Sequence, residues 1–249
     1  MNWQKKHGEV IKDFLGHLNN QTNQYVLKGG TALAQCYGLD RFSEDIDLDA
    51  TQRNLEPVIE QFCESNGYTF NIKKDTPTAQ RFSIHYDSNH KHLTIDASYR
   101  NKVISPDVIK NINGITVYDI NTLYVQKCAA YAGRDKIRDL YDVTFITNNY
   151  YDQLTSGSKT IAQNTLAEKD VEQFDYLILT QDDPLIDKDK LETDFLTMWD
   201  KLGLLTPSIQ PVNPSPTPPR TPRTPVKNAP PPPDPNGPGG PGGPKPPGG

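Results

Sequence analysis

The chain has 249 residues, a formal net charge of −5 and a hydrophobic fraction of 35%. That length allows one medium domain or two small ones with buried cores, and the charge excludes a globally basic nucleic-acid binder. Three cysteines without a CxxC pair argue against a disulfide scaffold and a zinc site and suit a reducing cytosol. No apolar run approaches the roughly 20 residues of a membrane span, and the opening MNWQKKHGEV has no apolar stretch, so a cytoplasmic protein with no membrane association is expected.

The elements follow in chain order. Residues 4–19 carry Val10, Ile11, Phe14, Leu15 and Leu18 on one helical stripe. YVLKGG reads as a short strand entering a turn, and TALAQCYG as the helix that follows. EDIDLDA alternates as a strand. LEPVIEQFCESNG is a helix with Pro57 near its start and Gly67 at its end. YTFNIKK, QRFSIHY and HLTIDAS alternate as strands, with DSNH turning between the last two, and GITVYD reads as one more. Beyond Asp119 the spacing is helical, in INTLYVQKCAAYAG, DKIRDLYDVTFITN, IAQNTLAEKDVEQFDYLI and KDKLETDFLTMWDKLG. The pattern predicts an α+β fold: a mixed β-sheet domain with helices over 1–117, then a helical bundle over 118–205. Residues 206–249 hold eighteen of the 22 prolines and almost nothing to bury, which predicts a disordered Pro/Gly-rich tail. The tail carries a balance of +3, which leaves the body near −8. A polyanionic substrate would need a local basic cluster or metal ions.

The chemistry concentrates in GGTALAQCYGLDRFSEDIDL, residues 29–48. Side chains alternate faces along a strand, so Asp45, Asp47 and Asp49 share one face while Ile46 and Leu48 share the other. In HLTIDAS the same parity puts Thr94 and Asp96 together. If the two strands are neighbours, Asp45, Asp47 and Asp96 converge. Two carboxylates about 4 Å apart repel by about 4 kcal/mol at an effective dielectric near 20, so such a cluster calls for a cation. Hard oxygen donors suit Mg²⁺ or Mn²⁺. Upstream, Gly29, Gly30 and Thr31 join a strand to a helix start, where backbone N–H groups, partial positive charge and a hydroxyl can cradle a phosphate. A nucleoside triphosphate with Mg²⁺ fits both halves. Each motif alone reads as an ordinary turn or a solvated strand face; their order and spacing favour the site. A calcium loop over Asp45, Asp47, Asp49 and Glu56 fits less well, because Ala50 stands where such a loop needs glycine. His85, His90 and His92 read as residues around a hairpin and carry no assignment.

LKGGTALAQCYGLDRFSEDIDL resembles the first motif of the AbiEii/AbiGii-type nucleotidyltransferase toxins of the polymerase-β-like superfamily, with Arg41, Ser43, Asp45 and Asp47 matching its RxSxDID form. LTIDAS is similar to the strand that carries the third acid. KCAAYAGRDKIRDLYDV resembles the family's helical motif at Lys127, Arg134, Lys136, Arg138, Asp139 and Asp142. On spacing alone the helical motif reads as a salt-bridged surface, with Arg138 and Asp142 as an i, i+4 pair. The resemblance implies nucleotidyl transfer from an NTP to a hydroxyl. Asp45, Asp47 and Asp96 would hold metal, with Asp96 also acting as base. Gly29, Gly30, Thr31, Ser43, Lys127 and Arg134 would hold the nucleotide, with Lys127 also neutralising developing charge. It further implies an RNA acceptor such as the 3′ end of tRNA and a cognate antitoxin. Two alternatives remain at this stage: an inert nucleotide- or partner-binding module, and transfer to a protein or small molecule.

Overall fold

The computed structural model describes residues 3–87 and 91–205. The expected turn at 87–90 falls mostly outside the described residues, as do His90 and the whole of 206–249.

The first half is α1 (Trp3–Gln21), β1 (Tyr25–Lys28), α2 (Gly29–Cys36), β2 (Asp45–Ala50), α3 (Leu55–Asn66), β3 (Thr69–Thr76), β4 (Ala79–His85), β5 (His92–Ser98), β6 (Ile109–Ile112) and β7 (Ile115–Tyr118). The second is α4 (Ile120–Arg134), α5 (Ile137–Tyr150), α6 (Ser156–Thr180) and α7 (Lys188–Lys201). The described residues fall in one compact unit. The strands form a mixed sheet in the order β3-β4-β5-β2-β1-β7-β6. β2 pairs parallel with β5, and β1 parallel with β7; the other pairs are antiparallel.

Alternation decides which face is buried. Ile46, Leu48, Phe82, Ile84, Leu93 and Ile95 are at most 1% exposed and line the core face. The α1 stripe of Val10, Ile11, Phe14, Leu15 and Leu18 is buried as its spacing requires, with Phe14 edge-on to Phe62 of α3 at 5.3 Å. Each such side chain removed from water contributes about 1.5–3 kcal/mol. In the second half Phe174 of α6 stacks on Phe195 of α7 at 4.0 Å.

Three local differences from the sequence reading have simple causes. Helix α2 begins at Gly29, two residues early, because Gly29 takes φ 75° and turns the chain directly into the helix. Helix α6 begins at Ser156, not 161; the Thr155 side chain caps it by accepting from the Ser158 N–H, and its polar first turn hid the start. Helix α4 runs unbroken through Gly133 to Arg134 and ends at Asp135, φ 44°. Lys127 and Arg134 therefore share one face two turns apart.

Candidate functional site

The register of the sheet builds the site. Asp47 lies opposite Asp96 across β2 and β5, with Asp45 opposite Thr94 one step away. The cross-sheet row through Asp47 continues both ways, to Lys28 on β1 and to Arg81 on β4 and Lys74 on β3. A single line of side chains thus reads Lys28, Asp47, Asp96, Arg81, Lys74. Lys28 forms a 2.6 Å ion pair with Asp49, and Arg81 donates to Asp96 at 2.7 Å. Asp49 does not join the open cluster. It is buried, and it also accepts from the Tyr118 hydroxyl at 3.0 Å.

The two unpaired acids are electrostatically uncomfortable. Burial pushes the Asp47 carboxyl up to about 6; Lys28 and Lys127 oppose the shift, and Asp96 and Asp45 add to it. Asp45 is raised as well, first by desolvation and then by Glu44 and Asp96, against a hydrogen bond from Thr94. Among the described residues neither has a salt-bridge partner.

The helical half supplies the opposite wall. Lys127 Nζ lies 2.7 Å from Asp142 Oδ2 and 3.6 Å from Asp139 Oδ1. Arg134 donates twice to Asp139, at 2.6 and 2.9 Å. Asp142 also accepts two 2.7 Å bonds from Arg41, which stands 101 residues away on the loop before β2. The surface pair expected of Arg138 and Asp142 does not form. Asp142 is fully buried and turned toward Arg41 and Lys127, while Arg138 faces out to Asp183 and Glu44.

Between the walls lies a cleft of about 700 Å³ that takes in Gly30, Ser43, Asp45, Asp47, Asp96, Lys127 and Arg134. Its lining includes six cations and seven carboxylates, so a bare polyanion gains little net attraction there, whereas one that brings its own cations suits both walls. A second recess of about 540 Å³ adjoins it across Asp47, Lys127 and Arg134 and reaches Gly29. Gly29 and Gly30 are needed as glycines: a methyl on Gly29 would overlap Asp47 Oδ2, and one on Gly30 would lie 2.8 Å from Arg41 Nη2. Thr31 stands apart from the cleft. It is buried, and its hydroxyl donates to the Asp45 carbonyl beside Ser43 Oγ. It fixes α2 to β2. Arg81 was not singled out from sequence, although its parity with Ser83 and His85, and the short hairpin to β5, were the available signal.

Gly29→Ala is expected to lower stability by about 1–2 kcal/mol through the positive φ alone and to displace Asp47. Thermal denaturation beside a turnover assay checks both effects; an unchanged melting temperature would mean that position 29 carries neither backbone strain nor overlap with Asp47.

Among the described residues no group of three or more His, Cys, Asp or Glu side chains is arranged to hold a metal ion. The donor chemistry nevertheless fits Mg²⁺ or Mn²⁺: Asp45 and Asp47 are hard oxygen donors whose charge no salt bridge offsets, with Asp96 next to them and held by Arg81. Among the described residues no helix is long and apolar enough to cross a membrane.

No curated protein matches the chain. Solved structures do. JHP933 from Helicobacter pylori is 26% identical with a TM-score of 0.69, over 81% of this chain and 92% of that one. A candidate nucleotidyltransferase from H. pylori is 24% identical with a TM-score of 0.67, over 81% and 95%. The model of the family described as nucleotidyl transferase AbiEii toxin, type IV TA system, matches residues 13–220. A sheet that aligns its acids against a basic helix, and a family match over most of the sequence, lead to one conclusion: the chain belongs to the AbiEii nucleotidyl transferase toxin family of type IV toxin–antitoxin systems.

Proposed function

We propose that the protein moves an NMP from an NTP to a hydroxyl at the end of an RNA such as tRNA, as a cytoplasmic toxin restrained by a cognate antitoxin. The observation that carries this reading is the alignment of Asp45, Asp47 and Asp96 on one sheet face opposite Lys127 and Arg134. The three free cysteines suit a reducing compartment. The triphosphate lies along Lys127 and Arg134, beside Gly30 and Ser43 in the same cleft. Asp45, Asp47 and Asp96 would hold Mg²⁺ or Mn²⁺, and the metal would supply positive charge for the departing pyrophosphate and lower the pKa of the attacking hydroxyl. The hydroxyl oxygen bonds to the α-phosphorus, the bond to the bridging oxygen breaks, and Asp96 receives the proton. Lys127 and Arg134 balance the charge that develops on the leaving group.

Labelled NTPs incubated with the full chain, Mg²⁺, total RNA and protein extract should label RNA and release pyrophosphate. Label on protein or a small molecule would redirect the acceptor. The Arg81–Asp96 pair, which occupies the third acid, favours the inert-module reading; no pyrophosphate from any acceptor would establish that reading instead.

A further inference from the structure

On β3, β4 and β5 one face packs on the core and the other is open. The open face carries Asn71, Lys74, Arg81, His85 and His92, next to Thr94 and Asp96. Arg81, Lys74, Asn71 and His92 are exposed. This patch runs against the charge of the molecule. In a chain of net −5, it gathers Lys73, Lys74, Arg81 and Lys91 with His85 and His92. Two of its flanking acids are occupied: Asp75 pairs with Arg53, and Asp87 with Lys6 at 3.3 Å, while Glu44 and Asp45 lie on the side toward the acid row. Among the described residues Lys73, Lys74 and Lys91 have no ion-pair partner. Lys73 sits at the break in register between Ile72 and Lys74. It is close enough to His85 that it, burial and His92 together depress that ring's proton affinity, burial most.

The patch leads to the acids. Lys74, Arg81 and Asp96 are consecutive across three strands, so Lys74 lies about 10 Å from Asp96 at the usual strand spacing. On the other flank a recess of about 400 Å³ joins Asp45 and Thr94 to His92, Lys91 and Trp3, with Lys91 Nζ 4.0 Å above the Trp3 ring. Cations for phosphates, with an aromatic ring and imidazoles for bases, are the means by which proteins hold single-stranded nucleic acid.

We infer that the open face of β3, β4 and β5 is the track on which the acceptor RNA lies, its phosphates on Lys73 and Lys74 and its terminal hydroxyl delivered past Arg81 to Asp96. The inference rests on the RNA-transfer reading above. An acidic protein segment would meet the same cations, but it would leave the aromatic recess without a purpose.

The test uses the full chain, labelled NTP and total small RNA across a range of salt concentrations. Lys73→Glu/Lys74→Glu is compared with wild type and with Lys110→Glu, which changes charge on β6 at the opposite edge of the sheet. The double variant should raise KM for RNA about tenfold or more. It should flatten the dependence of log KM on log salt by roughly one per lysine, as lost phosphate contacts do. Its NTP Kd by calorimetry and its Tm should be unchanged, and Lys110→Glu should stay within about twofold of wild type. If wild type labels RNA and the double variant keeps its KM and salt slope, the track is wrong while the transfer reading stands. Wild-type labelling of protein in place of RNA would assign the face to an acidic protein segment and overturn both.

Discussion

Asp142→Ala is expected to lower stability by about 3–5 kcal/mol, the cost of stripping a buried charge pair of one partner. Asp142 is fully buried, and it neutralises the Arg41 guanidinium, itself nearly buried, with two bonds while also pairing with Lys127. Without it, among the described residues Arg41 keeps only the Phe42 carbonyl, at 3.2 Å, and Lys127 only Asp139. For a chain of this size the loss corresponds to roughly 10 °C in Tm. The double variant Arg41→Met/Asp142→Leu should recover most of it, because apolar side chains of similar volume need no counter-charge. Denaturant titration of the two variants decides the matter: a cost below about 1 kcal/mol for Asp142→Ala would mean that water reaches the pair.

Asp47→Asn should act in the opposite direction on stability while removing activity. The native carboxyl titrates at about 6, against 3.8 for the ordinary group, so the folded state holds its proton more tightly than the unfolded chain does. The resulting penalty is absent below about pH 4, grows as pH rises toward 6, and is complete above it. It is worth on the order of 2–3 kcal/mol at neutral pH. The amide removes it, so in a chelating buffer at pH 7.5 Asp47→Asn should melt several degrees above wild type, and the gap should close as pH falls to 4. The same change takes an anionic donor from the acid row, and transfer should drop by 10² or more. A variant that melts at the wild-type temperature at both pH values would place Asp47 in water rather than in a desolvated site. Near-normal turnover would end its assignment to the metal.

What the sequence made legible was local and periodic. Alternation in EDIDLDA and HLTIDAS put Asp45, Asp47 and Asp96 on one face, and the register places Asp47 and Asp96 side by side. The seven-residue spacing of Lys127 and Arg134 survived because the helix did. The partnerships that shape the site were out of reach. Arg41 and Asp142 are joined only by the packing of α5, and Arg138 finds Asp183 on the connection between α6 and α7 rather than a neighbour on its own helix. Helical spacing reports which residues could meet, not which way the helix is rolled against the sheet. Burial sets that roll, and it turned Asp142 inward. Asp49 shows the same limit on a strand: parity placed it with the other acids, but Lys28 and Tyr118 enclose it.

The long reach from Arg41 to Asp142 also sets an order of events during synthesis. The strands that carry Asp45, Asp47 and Asp96 emerge from the ribosome before α4 and α5. The nascent chain then exposes a row of acids and a guanidinium without their counterparts. Lys127 and Asp142 arrive near the end of that interval and complete the helical wall of the cleft within one short stretch of translation. A chain cut short before α5 would therefore leave the Arg41 guanidinium without its carboxylate and the acid row facing an unfinished helical wall.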